Sequence, residues 1–265
     1  MLRFAVPVVF PAGLARSLQS ARVVAVVPAR FQSARFPGKP LALIDGKPMV
    51  EHVWLRTRQA RRVDAVLIAT DDQRIADAVD SFGGTAVMTS ASHATGTDRL
   101  AEVAASLTAD LLVNVQGDEP MIAPEAIDAA VASLSERRDG VMSTLRRRID
   151  DPRDLDDPNV VKLVVDQNGD ALYFTRASIP FVRPGLVAPV AWRHMGLYVY
   201  RREFLIRLAA WPQTPLEQAE GLEQLRVLEH GFKISTVETT VDTIGVDTPE
   251  DLERVRRLVE AVARS

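Results

Sequence analysis

Short apolar runs that recur between amphipathic segments constrain the fold of this 265-residue chain more than any other feature. Val23–Val27 (VVAVV), Ala65–Ala69 (AVLIA) and Leu111–Val115 (LLVNV) are nearly continuous rather than alternating, which suits strands buried on both faces of a parallel sheet. Between them lie helical patterns. One starts at Pro48 and runs to about Arg58 with Met49, Val50, Val53 and Trp54 on one face. Another, Gln73 to Phe82, follows the cap signal Thr70-Asp71-Asp72 and closes at Gly83-Gly84. A short strand, Thr85 to Met88, precedes a helix that begins at Thr97-Asp98 and ends near Leu107. Pro124 to about Arg137 and Val141 to Leu145 continue the alternation. It predicts an α/β fold with a doubly wound, mainly parallel sheet and a ligand at the carboxyl ends of the strands.

The pattern changes after Arg146. A loop-like stretch to Asn159 leads into Val160–Val165 and Ala171–Phe174, which flank the hairpin signal Asp166-Gln167-Asn168-Gly169. With a further strand at Trp192–Tyr200, this predicts an antiparallel excursion at about residues 160–200 within one domain spanning 22–265. Helices are expected at Glu203–Ala210 and Leu216–His230, a strand at Phe232–Val237, and a last helix to about Ala263. Asp247-Thr248-Pro249-Glu250-Asp251 supplies the start signals for that helix. Residues 1–21 carry no acid, and Pro7 and Pro11 interrupt their apolar portion. They are expected to form a disordered or loosely packed extension rather than a targeting peptide.

Composition narrows the function. The net charge of -3 argues against a general nucleic-acid binder, and no apolar run approaches transmembrane length. The absence of cysteine removes disulfides, thiolate metal sites and thiol nucleophiles, and fits a reducing cytoplasm.

The chemistry is concentrated where strands end. After Val23–Val27 comes PARFQSARFPGKP, a loop in which Pro28 should end the ladder and which gathers Arg30, Arg35 and Lys39. Its prolines and Gly38 make it stiff, so cations and backbone N–H groups can meet a polyphosphate. The alternative at this point is a solvated basic loop. A Walker loop is excluded, because Pro40 rather than Ser or Thr follows Gly38-Lys39. Leu111–Val115 ends in Gln116-Gly117-Asp118-Glu119-Pro120, which puts carboxylates at the same sheet edge.

Several separated motifs together carry a resemblance: VVPARFQSARFPGKPLALIDGKPM, ATDD, HATGTDRLAEV, LLVNVQGDEPMI, NVVKLVVDQNGDALYFTRASIPF, RHMGLYVYRREFL, LEQAEGLEQLRVLEHG and GVDTPEDLERV. In this order they resemble the 3-deoxy-D-manno-octulosonate (KDO) cytidylyltransferases over nearly all of the chain from Arg22 onward. The resemblance implies a nucleotide-diphospho-sugar transferase-like fold and a Mg²⁺-dependent, cytoplasmic, homodimeric enzyme. Its reaction would turn CTP and KDO into CMP-KDO and pyrophosphate, activating KDO for lipopolysaccharide synthesis. By the same resemblance Arg30, Arg35, Lys39 and Asp118 are catalytic, and Pro28, Ala29, Arg30, Lys39, Thr95, Gly96, Thr97 and Arg99 bind the nucleotide. The resemblance also implies that Asp118 and Asp247 hold the metal.

The sugar side is implied at Gln116, Arg176, His194, Tyr198, Glu223 and Gln224. A carboxylated polyol calls for an arginine and several neutral hydrogen-bonding groups. His194, Gly196 and Tyr198 share one strand face by their spacing. The excursion at 160–200 would bind the sugar and form the dimer contact. Two alternatives remain open from sequence: a cytidylyltransferase for another acid sugar, such as 8-amino-KDO or sialic acid, and a non-catalytic nucleotide-sensing module.

Overall fold

The computed structural model describes residues 18–33, 35–241 and 243–263. These form two compact units, the first holding the described residues up to Asp128 and those from Thr243 onward, the second those between. The fold is α/β, with parallel strands in the main sheet of the first unit and mixed ones in the second.

The first unit is built on β1 (Val23–Ala29), in which Val24, Ala25, Val26 and Val27 are all wholly buried, as the continuous apolar run requires. β1 pairs in parallel with β4 (Ala65–Thr70) on one side and with β6 (Leu111–Asn114) on the other, and β5 (Ala86–Met88) extends the sheet beyond β4. The order β6-β1-β4-β5 reverses its direction of growth at β1, so the crevice between the carboxyl ends of β1 and β6 is a topological switch point. Asp64 fixes the start of β1 by accepting the backbone N–H groups of Arg22 and Val23 at 2.7 and 2.9 Å.

Pro28 does not end the ladder as expected, since β1 continues through Pro28↔Ala69 and Ala29↔Thr70. Val26 faces β6, where its carbonyl accepts from Val115, and strand alternation turns Pro28 the same way. Pairing with β6 stops at Val26↔Asn114, so the N–H that proline lacks has no ladder partner to lose.

Helices α1 (Met49–Arg58), α2 (Gln73–Ser81) and α3 (Gly96–Ala105) fall close to their expected places. Met49, Val50, Val53 and Trp54 are buried, and the Asp72 side chain caps α2 through the N–H of Arg74. The cap of α3 is Thr95 rather than Thr97, in a reciprocal capping box with Asp98. A small hairpin, β2 (Leu43–Ile44) and β3 (Lys47–Pro48), precedes α1; its turn, Asp45-Gly46, has φ of 46° and 75°. Such a pair of positive angles is what Asp-Gly supplies. α4 (Pro124–Glu136) leads into the second unit, and the chain returns to the first with α9 (Pro249–Ala263). Val246, Leu252 and Val255 there share a buried cluster with Ile44 and Met49. Leu18 and Ala21 are buried too, so the loose extension expected for residues 1–21 does not reach Ala21; residues 1–17 lie outside the described residues.

In the second unit β7 (Met142–Arg148) pairs in parallel with β11 (Ile234–Glu238) and antiparallel with β10 (Trp192–Arg201). β8 (Lys162–Val165) joins β10 and makes the expected hairpin with β9 (Ala171–Thr175). The loop-like stretch after Arg146 instead extends β7 to Arg148 and contains a short helix, α5 (Arg153–Asp156). After α6 (Arg202–Ala209), the single helix expected over Leu216–His230 is two, α7 (Pro215–Glu220) and α8 (Gln224–Glu229). Gly221, at φ 64°, ends the first in a left-handed cap. The buried Arg226 then reaches back to Glu217, with Nε 2.7 Å from the carboxylate.

Candidate active site

The basic loop leaves β1 at the switch point and doubles back on itself. Gly38 donates to the carbonyl of Phe31 at 2.8 Å with φ of 73°, and a Cβ at this position would come 3.2 Å from the Phe31 ring. Both facts call for glycine. The Arg74 guanidinium lies 3.3 Å from the centre of that ring while it pairs with Asp72, so α2 steadies the loop from outside. Opposite, Gly117 passes β1 so closely that a Cβ there would fall 2.6 Å from the Pro28 carbonyl oxygen. That leaves Asp118 next to the loop.

Lys39 is the centre of the resulting cluster. Its Nζ is 2.8 Å from Asp118 Oδ2 and 3.4 Å from Asp247 Oδ1, and Arg35 reaches the other oxygen of Asp247 at 3.1 Å. Asp247 is brought there by backbone, since Val246 donates to the Asp118 carbonyl at 2.8 Å. Asp251 then accepts from the N–H groups of Asp247 and Thr248, which fixes the start of α9. Glu119, the other carboxylate in this turn, has its carboxyl enclosed although part of the residue reaches solvent. Burial, and then the charge of Asp118, push it up to about 8. Both effects favour its protonated form, which makes it a weaker cation ligand than Asp118. Among the described residues no group of three metal-ligating side chains is formed. The set present is two carboxylates that converge on one cationic position, which fits an ion that takes its remaining oxygens from phosphate and water.

The HATGT segment borders the same strand end. Arg30 donates to the Ala94 carbonyl at 3.2 Å, and Gly96 packs beside the Pro28 ring. Thr95 is occupied as the cap of α3, and Thr97 is buried. In the second unit, His194 and Tyr198 have ring centroids 5.3 Å apart, and the Tyr198 hydroxyl is 3.3 Å from Gln224 Oε1. Residues four apart on a regular strand are separated by roughly 13 Å. A bulge between Met195 and Tyr198 shortens that span while His194, Gly196 and Tyr198 keep to the less buried face.

A protein-family model described as cytidylyltransferase matches residues 24–234. A 3-deoxy-manno-octulosonate cytidylyltransferase of Solibacter usitatus is 52% identical over 240 residues, covering 91% of this chain and 95% of that one. One of Syntrophotalea carbinolica is 55% identical over 241 residues, covering 88% and 96%. The chain belongs to the 3-deoxy-manno-octulosonate cytidylyltransferase family. A solved structure of CMP:2-keto-3-deoxy-manno-octonic acid synthetase complexed with CTP superposes with a TM-score of 0.87 at 44% identity, covering 91% of this chain and 99% of that one.

The residues expected from the resemblance to this cytidylyltransferase family divide three ways. Arg35, Lys39, Asp118 and Asp247 converge directly, with Pro28, Ala29, Arg30, Thr95 and Gly96 around the end of β1 and Gln116 at the end of β6. His194, Tyr198 and Gln224 converge in the second unit, with Glu223 beside Gln224 at the start of α8. Two arginines are engaged in holding the protein together. Arg99 is fully buried, bonded to Thr89 and, at 2.7 Å, to Asp71. Arg176 donates to the main-chain carbonyls of Glu220 and Pro158, both at 2.9 Å. Sequence reasoning misses Phe31 and Arg74, whose roles are contacts between elements, whereas Asp251 belongs to the helix-start signal at 247–251 and caps that helix.

Proposed function

We propose that this chain transfers CMP from CTP to the anomeric hydroxyl of KDO, releasing pyrophosphate and activating the sugar for lipopolysaccharide synthesis. The observation that carries the reading is the convergence of Lys39 and Arg35 with Asp118 and Asp247 at the switch point. A sugar oxygen attacks the α-phosphorus of CTP in line, its bond to phosphorus forms as the bond to the β-phosphate oxygen breaks, and the hydroxyl proton leaves to solvent. Charge builds on the departing pyrophosphate. Lys39, with only 14% of its side chain exposed, is placed to offset that charge in a partly dry setting. Arg30 and Arg35 extend the cationic surface along the triphosphate.

Mg²⁺ is the proposed cofactor, with Asp118 and Asp247 as its protein ligands; bound there it would withdraw charge from the phosphates. The names of the relatives given above support the substrates, and a cytoplasmic location is proposed with them. Among the described residues no helix is long and apolar enough to cross a membrane. A homodimer is supported by the apolar surface between β9 and β10, where Phe181 is 85% and Val187 94% exposed. Light scattering should give the mass of two chains, and Phe181→Asp should halve it; a wild-type monomer would remove the dimer.

A coupled pyrophosphate assay tests the activity. Release is expected only with CTP, KDO and Mg²⁺ together, and a panel of 8-amino-KDO, sialic acid, UTP and ATP separates the competing substrates. Absence of release with CTP and KDO sinks the assignment, and a nucleotide-sensing module would bind CTP without turnover.

A further inference from the structure

We propose that Thr144 is a positioning residue that fixes His194 as its neutral Nε2–H tautomer, so that what His194 accepts from the sugar is a hydroxyl or ammonium hydrogen and never a contact with a carboxylate oxygen. The inference rests on the proposed sugar-binding role of His194 and concerns a residue outside the motifs that suggest that role.

Proton counting carries it. Thr144 lies in the middle of β7, wholly buried, facing the bulge of β10. Its Oγ1 is 2.7 Å from the Leu197 carbonyl oxygen, 3.2 Å from that of Met195 and 2.9 Å from His194 Nε2. Both carbonyls can only accept, and the hydroxyl has one hydrogen to give. Directed at His194, that hydrogen would leave two carbonyl oxygens against the hydroxyl lone pairs in a buried place. Directed at Leu197, the nearer carbonyl, it satisfies that acceptor and leaves the hydroxyl oxygen to accept from His194. Nε2 therefore carries hydrogen. Phe174 and Tyr198 enclose the ring, at centroid distances of 5.1 and 5.3 Å, although the residue as a whole is only half-buried. Burial pushes His194 down to about 3, so no second proton is taken up at neutral pH. Nδ1 is left as a lone pair. That lone pair is available to a donor brought by a ligand.

The sugar's carboxylate must then be met elsewhere, and His194 selects among hydroxyl-bearing positions. The bulge has a purpose in this account: it presents the Met195 and Leu197 carbonyls to one hydroxyl, which is what forces the tautomer.

The test uses full-length protein labelled with ¹⁵N-histidine. Nitrogen–proton NMR of the wild type at neutral pH should show His194 protonated at Nε2 and not Nδ1. Thr144→Val, close in shape, should lose the single tautomer and raise the KM for KDO about tenfold, with kcat and the KM for CTP nearly unchanged. Thr144→Ser, which keeps the hydroxyl, should restore both. An Nδ1–H signal in the wild type overturns the proposal, as does a valine variant with an unaltered tautomer. If the tautomer behaves as stated but KDO leaves the His194 signals unmoved, the sugar placement of His194 is overturned and the tautomer lock stands.

Discussion

Four charged side chains meet at the end of β1 in the first unit, Arg35, Lys39, Asp118 and Asp247, in ion pairs of 2.8 to 3.4 Å. The second unit gathers His194, Tyr198 and Gln224 with no formal charge among them. The first cluster is made of residues from three distant stretches of chain, and the second is centred on a bulged strand. Charge and neutrality suit different tasks. A reacting triphosphate changes its charge distribution and rewards fixed charges, whereas a polyol differs from its relatives by the direction of its hydroxyls and rewards oriented neutral groups.

The largest expected effect separates these roles kinetically. Asp118→Asn or Lys39→Met should lower kcat on the order of a hundredfold or more, because the first removes a proposed Mg²⁺ ligand and the second a cation whose contact would strengthen as the pyrophosphate departs. His194→Gln should act mainly on the KM for KDO. Steady-state kinetics with each substrate varied in turn reads both. A Lys39→Met enzyme altered only in its KM for CTP would break the comparison, since Lys39 would then be a uniform binder rather than a participant in the reaction.

The charged cluster is also the more legible in sequence. Arg30, Arg35, Lys39 and Asp118 stand directly after apolar runs that suit only buried strands, and the alternation of elements brings such ends to one edge. Pro28 inside the ladder is not legible, because its tolerance depends on where β6 stops pairing. The split of Leu216–His230 into α7 and α8 is hidden by leucines that keep a helical rhythm across Gly221. Arg99 and Arg176 look in sequence like ligands, and the contacts each also makes within the protein, Arg99 with Asp71 and Arg176 with the Glu220 carbonyl, have no sign in sequence. The His194–Tyr198 pair is legible as a shared strand face, whereas the bulge that brings the rings together has no signature beyond Gly196.

The smallest effect tests whether the second cluster is as dry as its geometry implies. His194 is held down to about 3 by burial alone, with Phe174, Tyr198 and Thr144 around it, against an ordinary value of 6.5. Between those two values the unfolded chain binds a proton that the folded chain does not, so stability present above 6.5 is lost as pH falls. The single-site contribution is about 1 kcal/mol between roughly pH 7 and pH 5.5. His194→Gln keeps a side-chain N–H for Thr144 and cannot titrate. Denaturant unfolding at the two pH values should show the wild type losing about 1 kcal/mol more than the variant, the carboxylates contributing equally to both. Equal losses would mean that the imidazole takes up its proton in the folded protein as pH falls below 6.5, and the second cluster would then carry a charge on acidification rather than stay neutral.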